Sequence, residues 1–145
     1  MVHPTHSLSV LRRSIRKFVI DNLRTAHSLR VFFDFSFDEP EEDSWVVVKA
    51  EDLDIDTLAE NFVVFYMFVK NDMSGKNLAE LRDIVYDCLV YLDMTDGRAR
   101  FPLYESDWTE VGHVVISIVT ERGKQSGEFG TNYQWIQVKL NWGAK

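Results

Sequence analysis

Two strand-like runs near the end of the chain decide the fold: VGHVVISIVTE (residues 111–121) and TNYQWIQVKLNW (residues 131–142). The polar segment RGKQSGEFG (residues 122–130) joins them, so the stretch predicts a β-hairpin. Arms of about 11 residues would reach roughly 35 Å, whereas strands of about 5–6 residues are usual. The hairpin is longer than a small core requires, which points to assembly rather than chemistry.

The alternation within each arm predicts one apolar and one mixed face of the hairpin. The apolar face is expected to carry Val114, Ile116, Ile118, Ile136, Val138, Leu140 and Trp142. The mixed face is expected to carry His113, Ser117, Glu121, Tyr133, Gln137 and Lys139. The chain's tryptophans are most simply core or sheet-face residues: Trp45, Trp108, Trp135 and Trp142. For Tyr133 and Trp135 on the mixed face, a subunit contact is an equally good interpretation.

The other segments predict two helices and four further strands. Helices are expected over residues 7–24 and 76–93, where apolar residues recur at three- and four-residue steps. Strands are expected over residues 31–37, 45–50, 61–70 and 99–104, and an acidic loop over residues 51–59. The chain is therefore predicted to be a single α+β domain over residues 1–145. Its sheet would be mainly antiparallel, with a long C-terminal β-hairpin, and two helices would pack against it.

Some positions carry more specific predictions. Residues 61–70 are apolar on both faces, which is typical of a central strand covered on both sides by helices or by a neighbouring subunit. Pro102 makes residues 99–104 an edge strand or a broken strand. Asp72 or Ser74 is expected to cap the second helix. The buried helix stripes are expected to be Leu8, Leu11, Ile15, Phe18, Val19 and Leu23, then Leu78, Leu81, Ile84, Val85, Cys88, Leu89 and Leu92.

The charge is distributed unevenly along the chain. Residues 1–30 hold six Arg or Lys residues and one acidic residue, a net charge of +5. Since the whole chain has a net charge of −7, the other 115 residues have a net charge of −12. A basic face on an acidic body indicates nucleic-acid binding, a self-complementary subunit contact or a solvated helix face. The acidic remainder argues against a protein that grips DNA across a wide surface. The lone Cys88 favours synthesis in the cytoplasm, and no apolar run approaches the roughly 20 residues that span a membrane.

The sequence contains no motif that predicts chemistry. The Gly-rich segment 123–130 lacks the strand-to-helix context and the Lys-Ser/Thr pair of a phosphate loop. The four histidines lack metal-ligand spacing, and the acidic residues 51–56 lack the glycine and terminal glutamate of a calcium loop. We therefore predict no catalytic residue, cofactor or metal, although carboxylates that meet only in space stay possible.

The order of elements and the chain length resemble the tail terminator (tail completion) proteins of long-tailed bacteriophages and related neck and minor tail proteins. The basic-flanked helix 7–24, the Phe-rich strand 31–37 and WVVV (residues 45–48) carry part of the resemblance. The run 60–70 leading into NLAELRDIVY (residues 77–86), and the ending LNW (residues 140–142), carry the rest. The Gly-punctuated hairpin tip departs from the pattern.

The resemblance implies a structural virion protein of the tail or neck, made in the host cytoplasm, and not an enzyme. It implies a homohexameric ring that caps the tail tube, ends tube polymerisation and offers the head-joining surface. The expected partners are further copies of the chain, the tail tube protein and a head-completion (connector) protein, with no membrane. DNA would pass through the lumen without specific binding. The expected interface residues are Arg12, Arg13, Arg16, Lys17, Lys124, Glu128, Phe129, Tyr133 and Trp135.

Elementary physics agrees with this outline and leaves alternatives open. A strand apolar on both faces and an over-long hairpin are ways to extend a sheet between subunits or to reach a neighbour. The alternatives are a tail tube or minor tail subunit, and a small adaptor or inhibitor that binds one protein through its acidic face. An enzyme with converging carboxylates and a nucleic-acid-binding N-terminal helix are the remaining hypotheses.

Overall fold

The structure is a computed structural model, and it describes residues 8–33, 43–50, 60–72, 74–90, 99–126 and 131–142. Helix α1 spans Leu8–Val19 and continues as a π-helical segment over Ile20–Thr25, and helix α2 spans Lys76–Val90. The strands are β1 Val31–Phe33, β2 Ser44–Ala50, β3 Glu60–Lys70, β4 Arg100–Tyr104, β5 Glu110–Ser126 and β6 Thr131–Trp142. Parts of the predicted segments 31–37, 51–59 and 76–93 lie outside the described residues.

The strands form one six-stranded sheet in the order β1-β2-β3-β6-β5-β4. Strands β1 and β2 are parallel, and every other neighbouring pair is antiparallel. The predicted α+β class, with a mainly antiparallel sheet and a long C-terminal hairpin, is confirmed. Strand β3 is central and β4 is an edge strand, as the apolar run 61–70 and Pro102 predicted.

The core lies between the helices and one face of the sheet. Strand β3 contributes Val63, Phe65, Met67 and Val69 to this core. The predicted helix stripes are confirmed where described, with Leu11, Ile15, Phe18, Val19 and Leu23 buried in the first helical segment and Leu78, Leu81, Val85, Cys88 and Leu89 in α2. Fully burying one such side chain stabilises the fold by about 1.5–3 kcal/mol. Val64, on the other face of β3, is also buried, whereas Phe62, Tyr66 and Phe68 on that face are half-buried.

Helix α1 contacts both edge strands, which requires a strongly curved sheet. The Phe18 ring stacks on Phe101 of β4 with centroids 4.6 Å apart. The Arg16 guanidinium lies 4.4 Å from the ring centre of Phe33 in β1. In a flat sheet of this order these strands would be about 24 Å apart, whereas a helix with its side chains is about 10–12 Å wide. The sheet therefore curls around α1.

The hairpin differs from its prediction because two bulges interrupt β5. The register shifts between Ile118 and Thr120 and again between Arg122 and Gln125, and each bulge adds one residue to β5. Residues 122–126, predicted to belong to the tip, are therefore strand. The first bulge also reverses the alternation, so Glu121 pairs with Ile136 of the core face. The prediction that Glu121 lies on the mixed face was wrong.

Helix α2 begins with a side-chain cap from the preceding turn. The Asp72 carboxylate accepts hydrogen bonds from the backbone N–H groups of Asn77 (3.2 Å) and Leu78 (2.8 Å). The Ser74 hydroxyl accepts one from the N–H of Lys76 at 3.3 Å. Both predicted side chains therefore satisfy donors that a helix start leaves unpaired, and the carboxylate serves two of them.

Candidate interaction surfaces

The predicted interface residues lie at three separate places on the molecule. Arg12, Arg13, Arg16 and Lys17 are on α1, Lys124 is in the distal part of β5, and Tyr133 and Trp135 are on the sheet face away from the helices. Glu128 and Phe129 lie outside the described residues. The residues therefore do not converge on a single site.

The four α1 cations divide into two rows. Arg12 and Arg16 form an exposed row, one helical turn apart. Arg13 and Lys17 form a half-buried row with partners in the chain. Arg13 Nη1 donates to the Tyr104 carbonyl at 3.4 Å, and Lys17 Nζ donates to Asp21 at 2.7 Å. The hydrogen bond to Asp21 raises the pKa of Lys17. The first row is the more exposed one, although the Arg16 guanidinium also lies over the Phe33 ring.

Trp108 lies beside the α1 cations. Its side chain is 55% exposed, the largest exposure of any bulky apolar residue among those described, so the prediction that it packs in the core or on a sheet face was wrong. The indole meets the Tyr104 ring edge to face at 5.9 Å, and Lys17 Nζ lies 5.6 Å from the indole centre. We define the α1–Trp108 surface as Arg12, Arg13, Arg16, Lys17, Tyr104 and Trp108.

The turn that holds Trp108 is strained. Trp108 has φ +65°, in the left-handed region that a bulky residue rarely adopts. The Trp108 N–H donates to the Glu105 carbonyl at 2.9 Å, and the Thr109 N–H donates to Asp107 Oδ1 at 3.0 Å. The bonds from Thr109 lower the pKa of the Asp107 carboxyl. Such strain persists only where the surroundings impose it, and it concentrates at functional sites.

A groove of about 250 Å³ lies between α1 and the edge strand β4, next to this surface. Its lining includes Lys17, Asn22, Arg100 and Pro102. The π-helical segment Ile20–Thr25 begins beside it. Such segments are rare and often occur at functional sites. The groove extends the α1–Trp108 surface and adds Arg100 to its cationic residues.

The sheet face away from the helices carries a ladder of aromatic residues across three strands. Phe68 of β3 stacks between Trp45 of β2 (5.1 Å) and Tyr133 of β6 (5.7 Å). Trp135 lies opposite Tyr66 in the β3–β6 register. All except Trp45 are half-buried, so packing within the sheet accounts for much of the area of Tyr133 and Trp135. These two residues are less available to a partner than their position in the sequence suggested.

The distal part of the hairpin is fastened to α2. Both Arg82 Nε and Arg82 Nη2 donate to the Glu121 carboxylate, the latter at 2.8 Å. These bonds raise the pKa of Arg82 above its usual range. The Lys124 stem lies over Gly75, and its Cδ is 3.3 Å from where a Cβ at residue 75 would stand. Lys124 is exposed in the described structure, but its stem packs against its own chain.

Side chains from the N-terminal helical segment bond to backbone groups of both edge strands. At β4, the Ser14 hydroxyl accepts a hydrogen bond from the Tyr104 N–H (2.8 Å), beside the bond from Arg13 to the Tyr104 carbonyl. At β1, Arg24 donates to the outward carbonyl of Val31 at 2.6 Å. Pro102 removes a further donor from β4. Such bonds disfavour addition of another strand at β1 and β4, whereas β5 runs on beyond its pairing with β4, so sheet extension between subunits stays a prediction.

Other kinds of site find little support in the described part of the chain. Its His, Cys, Asp and Glu residues form no group of three or more that could hold a metal. Burial raises the pKa of the Cys88 thiol to about 12, which fits the predicted core residue. None of the described helices combines the length and the apolar character that a membrane crossing needs.

Comparisons with known proteins bear on the fold alone. No protein-family model and no curated protein sequence matches the chain. Among solved structures, a chain whose name states no activity or partner has a TM-score of 0.63 and 11% sequence identity. The match covers 96% of this chain and 97% of the other. At this identity the likeness extends to the fold and not to a role.

Proposed function

We propose that this protein is a structural virion assembly protein that forms a closed ring, a hexamer by its family resemblance, on the end of a bacteriophage tail tube. The ring ends tube polymerisation and provides the surface to which the head joins. DNA passes through its lumen without specific binding. The partners are further copies of the chain, the tail tube protein and a head-completion protein.

The observation that carries the proposal is the pair of different surfaces on one small subunit. A ring is built from head-to-tail contacts, which need two unlike patches on every copy. The α1–Trp108 surface is cationic and aromatic, whereas the exposed side of α2 is acidic and carries Glu80, Asp83 and Asp87. Trp, Tyr and Arg are the residues that most often dominate binding at interfaces.

Bonds from the N-terminal helical segment to the edge strands favour a ring of limited size. An open edge would let copies add to one another by strand pairing without a defined end. Side chains of this segment bond to backbone groups of both edge strands, which favours association through side-chain surfaces there. Such contacts have a fixed rotation between copies, and a fixed rotation either closes a ring or gives a helical filament.

A tube-capping experiment tests the function. Tail tube protein of the same virus is polymerised with and without this protein, and tube lengths are measured by negative-stain imaging. We expect shorter tubes with added density at one end, and no capping by a variant with Glu at positions 12, 13, 16 and 17. Lys76→Glu is the matched control, because Lys76 is an exposed cation away from that surface. Unchanged tube lengths with the parent chain would contradict the proposal.

A small non-catalytic adaptor is the alternative that a specific observation favours. Trp108 is a single exposed aromatic anchor on a strained turn, and one such anchor can suffice for a one-to-one complex. An adaptor would stay monomeric, whereas a tube or minor tail subunit would form open-ended tubes. The oligomeric state therefore distinguishes a closed ring, a monomeric adaptor and a tube subunit.

A further inference from the structure

We infer that the α1–Trp108 surface of one copy docks on an acidic row of α2 in a second copy of this chain. The acidic row is Glu80, Asp83 and Asp87. The inference rests on the proposed ring and names the contact that would join its subunits. It goes beyond the charge asymmetry of the sequence because it identifies both faces by residue.

The acidic row occupies the solvent face of α2. Glu80, Asp83 and Asp87 are spaced three and four residues apart, which places them on one side of a helix. All three are exposed, while Leu81 and Val85 on the opposite side are buried. The Asp83 side chain is 69% exposed even though Arg82 Nη1 lies 3.1 Å from it. The row is therefore accessible to a partner.

The basic row has a matching geometry. Arg12 and Arg16 are four residues apart on α1, as Asp83 and Asp87 are on α2. At a rise of 1.5 Å per residue, each pair spans about 6 Å. Two guanidinium groups can therefore face two carboxylates at once when the helices lie side by side. Trp108, which lies beside Lys17 in the other row of α1 cations, adds an apolar anchor that an ion-pair contact alone would lack.

Among the described residues, the two rows are not paired with each other within one chain, although Asp83 of the acidic row pairs with Arg82. The described ion pairs join Lys17 to Asp21 and Arg82 to its neighbours Asp83 and Glu121, and none of them joins α1 to α2. Helix α1 packs mainly on β4, whereas α2 packs on β3, β5 and β6. The net +5 of residues 1–30 faces a net −12 in the rest of the chain. A second copy supplies the acidic row with which the basic helix forms no described ion pair in its own chain.

The contact is expected to be weak in solution and strong on a template. An exposed ion pair changes an equilibrium constant by at most about fivefold, so two or three pairs cannot hold a ring at low concentration by themselves. A tube end that holds copies side by side raises their effective concentration. We therefore expect self-association that appears at high protein concentration and weakens as salt rises.

A charge-swap experiment tests the contact by sedimentation velocity over a concentration series at low salt. One variant carries Arg12→Glu and Arg16→Glu, a second carries Glu80→Lys and Asp87→Lys, and a third carries all four. We expect the first two to associate at least tenfold more weakly than the parent and the third to recover. Trp108→Ala should weaken association as well. Lys49→Glu, at an exposed cation of β2 on the sheet face away from the helices, should leave it unchanged, and circular dichroism melting verifies that each variant folds.

The outcomes separate this contact from the proposed function. Equal association of the parent and both two-residue variants would overturn the contact, as would a four-residue variant that does not recover. A parent chain that stays monomeric at every concentration would overturn it too. If charge swapping recovers association but tubes stay uncapped, the contact stands and the proposed function fails. If the parent caps tubes while charge reversal leaves association unchanged, the contact alone fails.

Discussion

At the scale of single residues, Asp72 is the side chain that joins the central strand, helix α2 and the hairpin. Its carboxylate, 3% exposed, accepts two helix N–H groups. Its carbonyl accepts a hydrogen bond from the Asn132 side chain of β6 at 2.6 Å. One residue thus fixes where α2 begins and how the start of β6 lies against it.

Asp72→Ala is expected to lower the free energy of unfolding by about 2 kcal/mol, the upper end for loss of a capping side chain. The loss is large because two N–H groups lose their acceptor and that of Leu78 is buried. Ser74→Ala is the matched control, since Ser74 is exposed and accepts a single bond. We expect it to cost about 0.5 kcal/mol. Urea unfolding measures both, and equal losses would contradict the assigned roles.

Cys88 predicts a pH dependence of stability at alkaline pH. Burial raises the pKa of its thiol from 9.0 to about 12. Between these values the unfolded chain releases the thiol proton and the folded chain keeps it, so stability falls as pH rises, by up to about 1.4 kcal/mol per pH unit. Below pH 9 the thiol keeps its proton in both the folded and the unfolded chain, so the loss of stability begins only above that pH. Thermal unfolding measured from pH 8 to 11 should show a smaller loss of stability for Cys88→Ala than for the parent. Parallel plots of stability against pH for the two proteins would contradict this prediction.

Residues where prediction failed share a physical cause. Alternation places Glu121 on the mixed face, but a bulge after Ile118 shifts the register, and no feature of the sequence marks that bulge. Trp108 is exposed at the end of a turn and itself adopts a left-handed backbone. The polar residues Glu105, Ser106 and Asp107 signal a turn, and that signal could have placed Trp108 at the surface.

At the scale of elements, α1 is both a core helix and the cover of the sheet edges. Its apolar stripe was predictable, because periodicity reports which side is buried. Its contact with both β1 and β4 was not, because strand order depends on pairings between residues far apart in the chain. The hydroxyl of Ser14, 1% exposed, is the residue through which the helix reaches the β4 edge.

Ser14→Ala is expected to free the Tyr104 N–H at the β4 edge. Removing the acceptor of a part-buried donor costs about 1–3 kcal/mol, and the Tyr104 amide should exchange its hydrogen faster. The Ile116 amide is the internal reference, because it bonds to the Ala99 carbonyl at 2.9 Å on the inner side of β4. Native-state hydrogen exchange measures both amides. A Tyr104 amide that stays as protected as in the parent would show that Ser14 does not guard this edge.

At the scale of the whole molecule, assembly depends on surfaces that the sequence indicated only in part. The unequal charge along the chain indicated the basic helix. The exposure of its cations now divides them into the exposed row of Arg12 and Arg16 and the half-buried row of Arg13 and Lys17. The hairpin was recognised by length, but its distal end is bound to α2 through Glu121. Its tip, with Glu128 and Phe129, lies outside the described residues, and their predicted role in a partner contact stays a prediction.

The most direct test of ring assembly is the absolute mass of the protein in solution. Light scattering coupled to size exclusion is run over a concentration series, and the peak fractions are imaged by negative stain. We expect the mass to rise with protein concentration to one closed species of about six copies, with no larger assemblies beyond it. A mass that grows without limit, with open-ended tubes in the images, would contradict termination. A monomer at every concentration would contradict a ring held by this chain's own contacts.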